Sequence, residues 1–273
     1  MGESEARASW KSGRILAGKT VIVTGCSSGI GLETAQLIKE LGGDVLGVDR
    51  TKTTGPVDEF YRADLGDKRE IEALVLALPE GANGLVNSAG LPPTAPAKLV
   101  LKVNLVGLKY FTERMVPKLA DGASIVNLAS LAGSGWPQAV EQIKAGYDLD
   151  FAEVPEFIER HGVGNEGGRS YFFSKEALIV WTQLNRWTWR DRGIRMNAVS
   201  PGPVQTPILP DFLATLGPRA QEGIEVAGRP GLPSDIAPVV AFLLSDMSTW
   251  IRGTNIPADG GMASHRLCNL HGL

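Results

Sequence analysis

Tyr171 and Lys175 are the residues whose types and spacing bear most directly on chemistry. In a helix they stand one turn apart on the same face, so a phenol and an ammonium share one patch. A free phenol titrates near 10 and is a poor base at neutral pH. A neighbouring ammonium favours the phenolate, and each unit of lowering needs about 1.4 kcal/mol. The pair is therefore a candidate proton donor and acceptor, although an isolated Tyr-x-x-x-Lys also arises on ordinary helix surfaces. Two further polar residues stand near apolar runs: Ser130 after Val126-Asn127-Leu128-Ala129, and Asn104 within Val103-Asn104-Leu105.

A second set of residues has the character of a phosphate cradle. Thr24-Gly25-Cys26-Ser27-Ser28-Gly29-Ile30-Gly31 follows a β-branched run and precedes a helical pattern. Glycines there let the chain turn sharply and bring backbone N–H groups against a pyrophosphate at a helix N-terminus. Asp49 closes the next apolar run, twenty residues after Gly29. A dinucleotide fold places there the acid that bonds the ribose hydroxyls. A carboxylate repels a 2′-phosphate, which favours NAD over NADP, whereas the adjacent Arg50 suits phosphate. Asp64-Leu65 and Asn87-Ser88-Ala89-Gly90 follow the third and fourth expected strands, where an adenosine would lie.

The elements that must position these residues alternate. Strands are expected at 19–24, 44–49, 61–64, 84–87, 124–128, 195–200 and 254–258. Helices are expected at 30–41, 68–78, 99–119, 171–192 and 234–244. Such alternation predicts an α/β, Rossmann-type, doubly wound and mostly parallel sheet in one domain. Pro257 places the last strand at an edge, because proline cannot donate to a ladder. Residues 132–170 form a helical insertion before Tyr171, with short helices near 138–144 and 154–161. Its apolar residues lead us to expect a cover over or beside the substrate pocket, with a subunit-interface element as the alternative. Residues 203–233 read as a substrate loop, 1–18 as a flexible arm, 19–262 as the domain and 263–273 as a tail.

Composition excludes several classes. The 273 residues are 43% hydrophobic and 21% charged, with a formal net charge of −3. That is an ordinary globular balance, without the basic excess of a nucleic-acid or anionic-membrane binder. Cys26, Cys268, His161, His265 and His271 lack metal-site spacing, so no metal is expected. Free thiols and the lack of a signal-peptide core or long apolar run point to the cytoplasm.

Taken together and in order, the glycine turn, Asn87-Ser88-Ala89-Gly90, Asn104, Ser130, Tyr171/Lys175, Asn197-Ala198-Val199-Ser200-Pro201-Gly202 and Asp259-Gly260-Gly261 resemble the short-chain dehydrogenase/reductase family. The likeness runs from Lys19 to Met262. It implies an enzyme moving hydride between NAD and an alcohol/carbonyl pair, in a homodimer or homotetramer. By resemblance, Tyr171 is the general acid/base and Lys175 holds the nicotinamide ribose and lowers the tyrosine pKa. Ser130 bonds the substrate oxygen, and Asn104 positions a water in a proton relay. Pro201, Gly202, Val204 and Thr206 resemble the loop holding the carboxamide. Ser88 replaces the family's usual asparagine. The Ser130–Tyr171 separation of 41 positions exceeds the usual family spacing. It is similar to the bacterial 3α-hydroxysteroid dehydrogenase/carbonyl reductase branch, which implies an apolar cyclic or aromatic substrate. A small polar alcohol such as a sugar stays open, as does a non-catalytic NAD(H) sensor on the same fold.

Overall fold

Val21, Ile22 and Val23 are wholly buried, as a strand covered on both faces requires. They form the centre of β1 (Thr20–Thr24) in the computed structural model, which describes residues 13–273. The other strands are β2 (Asp44–Asp49), β3 (Glu59–Arg62), β4 (Ala82–Asn87), β5 (Leu119–Leu128), β6 (Arg195–Pro201) and β7 (Asn255–Ala258). All pair in parallel in the order β3-β2-β1-β4-β5-β6-β7. The order reverses between β1 and β4, which opens a crevice at the carboxyl ends of those strands. Register keeps those ends level: Thr24 faces Val48 and Asn87, and Asn87 faces Asn127. Pro257 lies in β7, an edge strand as expected.

Helices cover both faces. On one side α1 (Gly29–Glu40) packs against α10 (Pro233–Leu244), burying Ala35, Ile38, Ile236, Val240 and Leu243. On the other lie α2 (Lys68–Ala77), α3 (Ala97–Leu101), α4 (Leu108–Met115) and α7 (Arg169–Leu184), with Phe111, Met115, Phe173 and Leu178 in the core. Between them in sequence come α5 (Val140–Ala145) and α6 (Val154–His161). After β6 follow α8 (Leu209–Leu216) and α9 (Pro218–Ala227), and α11 (Met262–Leu270) ends the described fold.

Four sequence expectations need correction. The single helix at 99–119 is instead α3, a π-helical turn at Lys102–Gly107, α4, and a strand beginning at Leu119. The π turn sits where Gly107 passes Leu65; an added Cβ would lie 1.8 Å from the Leu65 carbonyl oxygen. The helix expected to reach 192 stops at Leu184, because Asn185 turns its side-chain amide back onto the Trp181 carbonyl at 2.9 Å. The tail at 263–273 is mostly the helix α11. Asp259 nucleates it by accepting from the Gly261 and Ala263 amides at 3.0 and 2.8 Å. Of the arm, residues 1–12 lie outside the described residues. Leu16, however, is wholly buried, and its amide donates to the Leu41 carbonyl at 3.2 Å.

Candidate active site

A cleft of about 730 Å³ opens along the carboxyl edge of the sheet. Every cofactor residue assigned from sequence lines it except Asn87. The glycine turn is held by close packing. Gly25 has φ 72°, and a Cβ there would meet the Ala89 amide nitrogen at 2.7 Å. A Cβ on Gly31 would stand 2.2 Å from the Gly25 carbonyl oxygen. The turn and the start of α1 thus press against the β4 end, leaving backbone amides free to face the cleft. Asp49 bonds the Ser27 amide and hydroxyl at 3.1 and 2.7 Å and the Thr51 amide at 2.9 Å. Its carboxylate therefore stands beside the glycine turn, with Arg50 lining the same end.

Asn87 lies beneath the cleft, not on it. Its amide donates to Thr112 and Asn127, each at 2.8 Å, and Asn127 donates on to Thr182 at 2.9 Å. This chain ties β4, α4, β5 and α7 together in the buried interior. Asn104 is likewise wholly buried, in the π turn. Its side chain accepts from the Leu91 amide at 2.7 Å and donates to the Leu91 carbonyl at 3.0 Å. Both groups are committed to shaping the loop after β4. The sequence did not show the bond that Thr24, at the head of the glycine turn, makes across the sheet: its hydroxyl accepts from the Ser88 and Ala89 amides at 3.1 Å each.

Tyr171 enters the cleft from the first turn of α7, and Ser130 from the end of β5. Burial pushes the Tyr171 phenol upward, and its hydrogen bond with Ser130 pulls it back. The Lys175 ammonium lies 5.6 Å from the Tyr171 ring centroid and donates to the Leu128 carbonyl at 2.7 Å. Burial draws that ammonium down to about 8. Burial is the larger of the two influences on the phenol. Cys26, in the glycine turn, is pushed to about 12 by burial and then by Asp49, so it is an inert thiol.

The far end of the cleft is apolar. Leu91, Pro92, Phe172, Ile208, Phe212 and Leu216 line it, and Phe212 stands edge-on to Tyr171 with centroids 4.9 Å apart. Phe212 belongs to an excursion closed at its neck, where Gly231 donates to Pro203 at 2.9 Å and accepts from Gln205 at 2.8 Å. Asp211 of α8 accepts from Thr94, fastening the excursion to the loop after β4. The insertion at 132–170 does not cover the cleft: of its residues only Ala132 lines it. Phe157 packs on Phe173 at 5.2 Å and Phe151 meets Tyr110 edge-on at 6.0 Å, so its apolar residues face the outer sides of α4 and α7. Asn165 reaches the Ala97 amide and Ala95 carbonyl at 2.8 and 2.6 Å, bracing the pocket loop from behind.

The chain is 42% identical over 252 residues to coniferyl-alcohol dehydrogenase of Pseudomonas sp. (strain HR199 / DSM 7063), covering 91% of this chain and 98% of that one. Residues 19–141 match the family model described as short chain dehydrogenase, and 157–263 that described as enoyl-(acyl carrier protein) reductase. The chain belongs to the short-chain dehydrogenase/reductase family. This dehydrogenase is also 31% identical over 254 residues to 3-alpha-hydroxysteroid dehydrogenase/carbonyl reductase of Comamonas testosteroni, covering 89% of this chain and 95% of that one. Among solved structures, the 3-alpha-hydroxysteroid dehydrogenase of Pseudomonas sp. B-0831 complexed with NADH superposes with a TM-score of 0.77 at 28% identity, covering 91% and 98% of the two chains. This short-chain dehydrogenase is accordingly an oxidoreductase, and its family binds NAD(P). The glycine turn, the Asp49 carboxylate and the cleft volume fit such a dinucleotide. Among the described residues, no helix is long and apolar enough to cross a membrane.

Proposed function

We propose that this dehydrogenase interconverts an apolar cyclic or aromatic alcohol and its carbonyl, with NAD as its cofactor. The observation that carries the reading is the meeting of Ser130, Tyr171 and Lys175 at the foot of a cleft whose outer wall is apolar. Tyr171 takes the hydroxyl proton or returns it to the carbonyl oxygen, and Ser130 bonds that oxygen as its charge changes. Lys175 holds the nicotinamide ribose and offsets negative charge on the phenol. When bound, NAD would supply the hydride-transfer chemistry. Gly25, Ser27, Ser28, Gly29, Ile30 and Gly31 receive the pyrophosphate. Asp49 receives the adenosine ribose, with Arg50 beside it, and Asp64, Leu65, Ser88, Ala89 and Gly90 receive the adenine. Pro201, Gly202, Val204 and Thr206 hold the carboxamide.

NAD is preferred on the strength of the Asp49 carboxylate, which resists a 2′-phosphate. The ring-bearing substrates named for the coniferyl-alcohol and hydroxysteroid relatives support the substrate class. Membership of the family supports a homo-oligomer, a dimer or tetramer, and two free thiols suit the cytoplasm. The test is a panel of aryl-substituted alcohols, alicyclic secondary alcohols and sugars with NAD⁺ and NADP⁺, followed at the reduced-cofactor absorbance. Highest kcat/KM for ring-bearing apolar alcohols with NAD⁺ is expected. Preference for sugars would overturn the substrate reading, and tight NADH binding with no turnover would make the protein a sensor.

A further inference from the structure

We infer that Arg266 recognises a carboxylate on the end of the substrate remote from the reacting carbon, so that the enzyme favours ring-bearing hydroxy acids over neutral isosteres. The inference rests on the substrate reading above and extends it.

Met262 and Arg266 both line the cleft, and they stand four residues apart on α11, on one face of that helix. Met262 is buried and touches α9: a Cβ on Gly223 would meet its Cε at 2.4 Å. Helix α9 in turn packs on α8, which carries Phe212 and Leu216. The wall therefore runs outward from Tyr171 through Phe212 and Leu216 to Met262, and Arg266 stands one turn beyond. A flat apolar body lying along that wall would present its far end to the guanidinium.

Charge along the cleft points the same way. Asp49, Arg50 and Asp64 mark the adenosine end, whereas the charged lining residues of the other end are Lys175 and Arg266. Lys175 is already bonded to the Leu128 carbonyl. Among the described residues, no side chain accepts a hydrogen bond from Arg266. A guanidinium on the rim of an apolar slot, with no acid among the described residues lining that half, offers a two-point fit to a carboxylate. Arg266 is exposed, which limits the gain to roughly tenfold in affinity.

The experiment measures binding first. Calorimetry on the enzyme–NADH complex compares 4-(hydroxymethyl)benzoate with its methyl ester, and 4-hydroxycyclohexanecarboxylate with its methyl ester. Wild type, Arg266→Met and Arg266→Lys are used, with KM and kcat measured alongside. In the wild type each acid is expected to bind more tightly than its ester. Arg266→Met, which keeps the apolar stem, should weaken acid binding by about tenfold and leave the ester, kcat and NADH affinity unchanged. Arg266→Lys should recover part of the loss. Esters bound as well as acids by the wild type, or an equal loss for both in Arg266→Met, would overturn the inference. Weakened NADH binding in that variant would overturn it too, assigning the guanidinium to cofactor phosphates. Arg266-dependent binding of the acids without turnover of any ligand would instead sink the substrate reading and leave the carboxylate site standing.

Discussion

Replacing Lys175 with methionine tests the electrostatics of the site through stability instead of rate. Burial lowers the ammonium from 10.5 to about 8 in the native protein. The unfolded chain keeps the ordinary value, so between about pH 8 and 10.5 it binds more protons than the native state, and this group makes stability rise with pH. Below 8 both states are protonated and the penalty is constant. The shift corresponds to about 3 kcal/mol. That is a ceiling, because the 2.7 Å bond to the Leu128 carbonyl favours the charged form. Lys175→Met removes this titration while preserving most of the volume. Urea midpoints for both proteins from pH 7 to 10.5 give the difference in unfolding free energy. That difference, wild type minus variant, should stay flat to about pH 8 and then climb by up to about 3 kcal/mol. Parallel profiles, or a difference that falls with pH, would refute the assignment of a desolvated ammonium at this position.

Tyr171→Phe should lower kcat by roughly 10²–10⁴ while NADH binding, followed by fluorescence, persists; turnover above about a tenth of wild type would refute the acid/base role. Asp49→Ala should narrow the kcat/KM gap between NAD⁺ and NADP⁺, chiefly by weakening NAD⁺; a gap already favouring NADP⁺ in the wild type would give the pocket to Arg50. Phe157→Ala, at a buried position 5.2 Å from Phe173, should cost about 3–5 kcal/mol in urea unfolding but leave the ranking of substrates unchanged. Altered ranking would mean that the insertion takes part in selection after all.

The features legible in the sequence are those set by local rules. Strand positions follow from β-branched runs, and the glycine turn from its place between a strand and a helix. The pairing of Tyr171 with Lys175 follows from helical periodicity. The features that sequence missed depend on contacts between distant segments. Asn87 sits in a motif associated with the site, yet Thr112 and Asn127 claim its side chain from elsewhere in the chain. The apolar residues of 132–170 announced a surface to cover but not which one, since helical amphipathicity carries no address. Helix α11 was hidden because Asp259-Gly260-Gly261 read as the end of a pattern, whereas Asp259 also caps the helix that begins at Met262. The strong burial of Tyr171 and Lys175 has no signature in a four-residue spacing.

The closed neck at Pro203, Gln205 and Gly231 has a consequence for divergence. The two ends of that excursion are joined by main-chain bonds, which involve no particular side chain. Segments of different length and composition can therefore be spliced between the same anchor points without moving β6 or the residues beside it. A descendant of this enzyme could exchange the wall that carries Phe212 and Leu216 and acquire a new diet of alcohols. Its proton-handling residues, supplied by β5 and α7, would be inherited untouched.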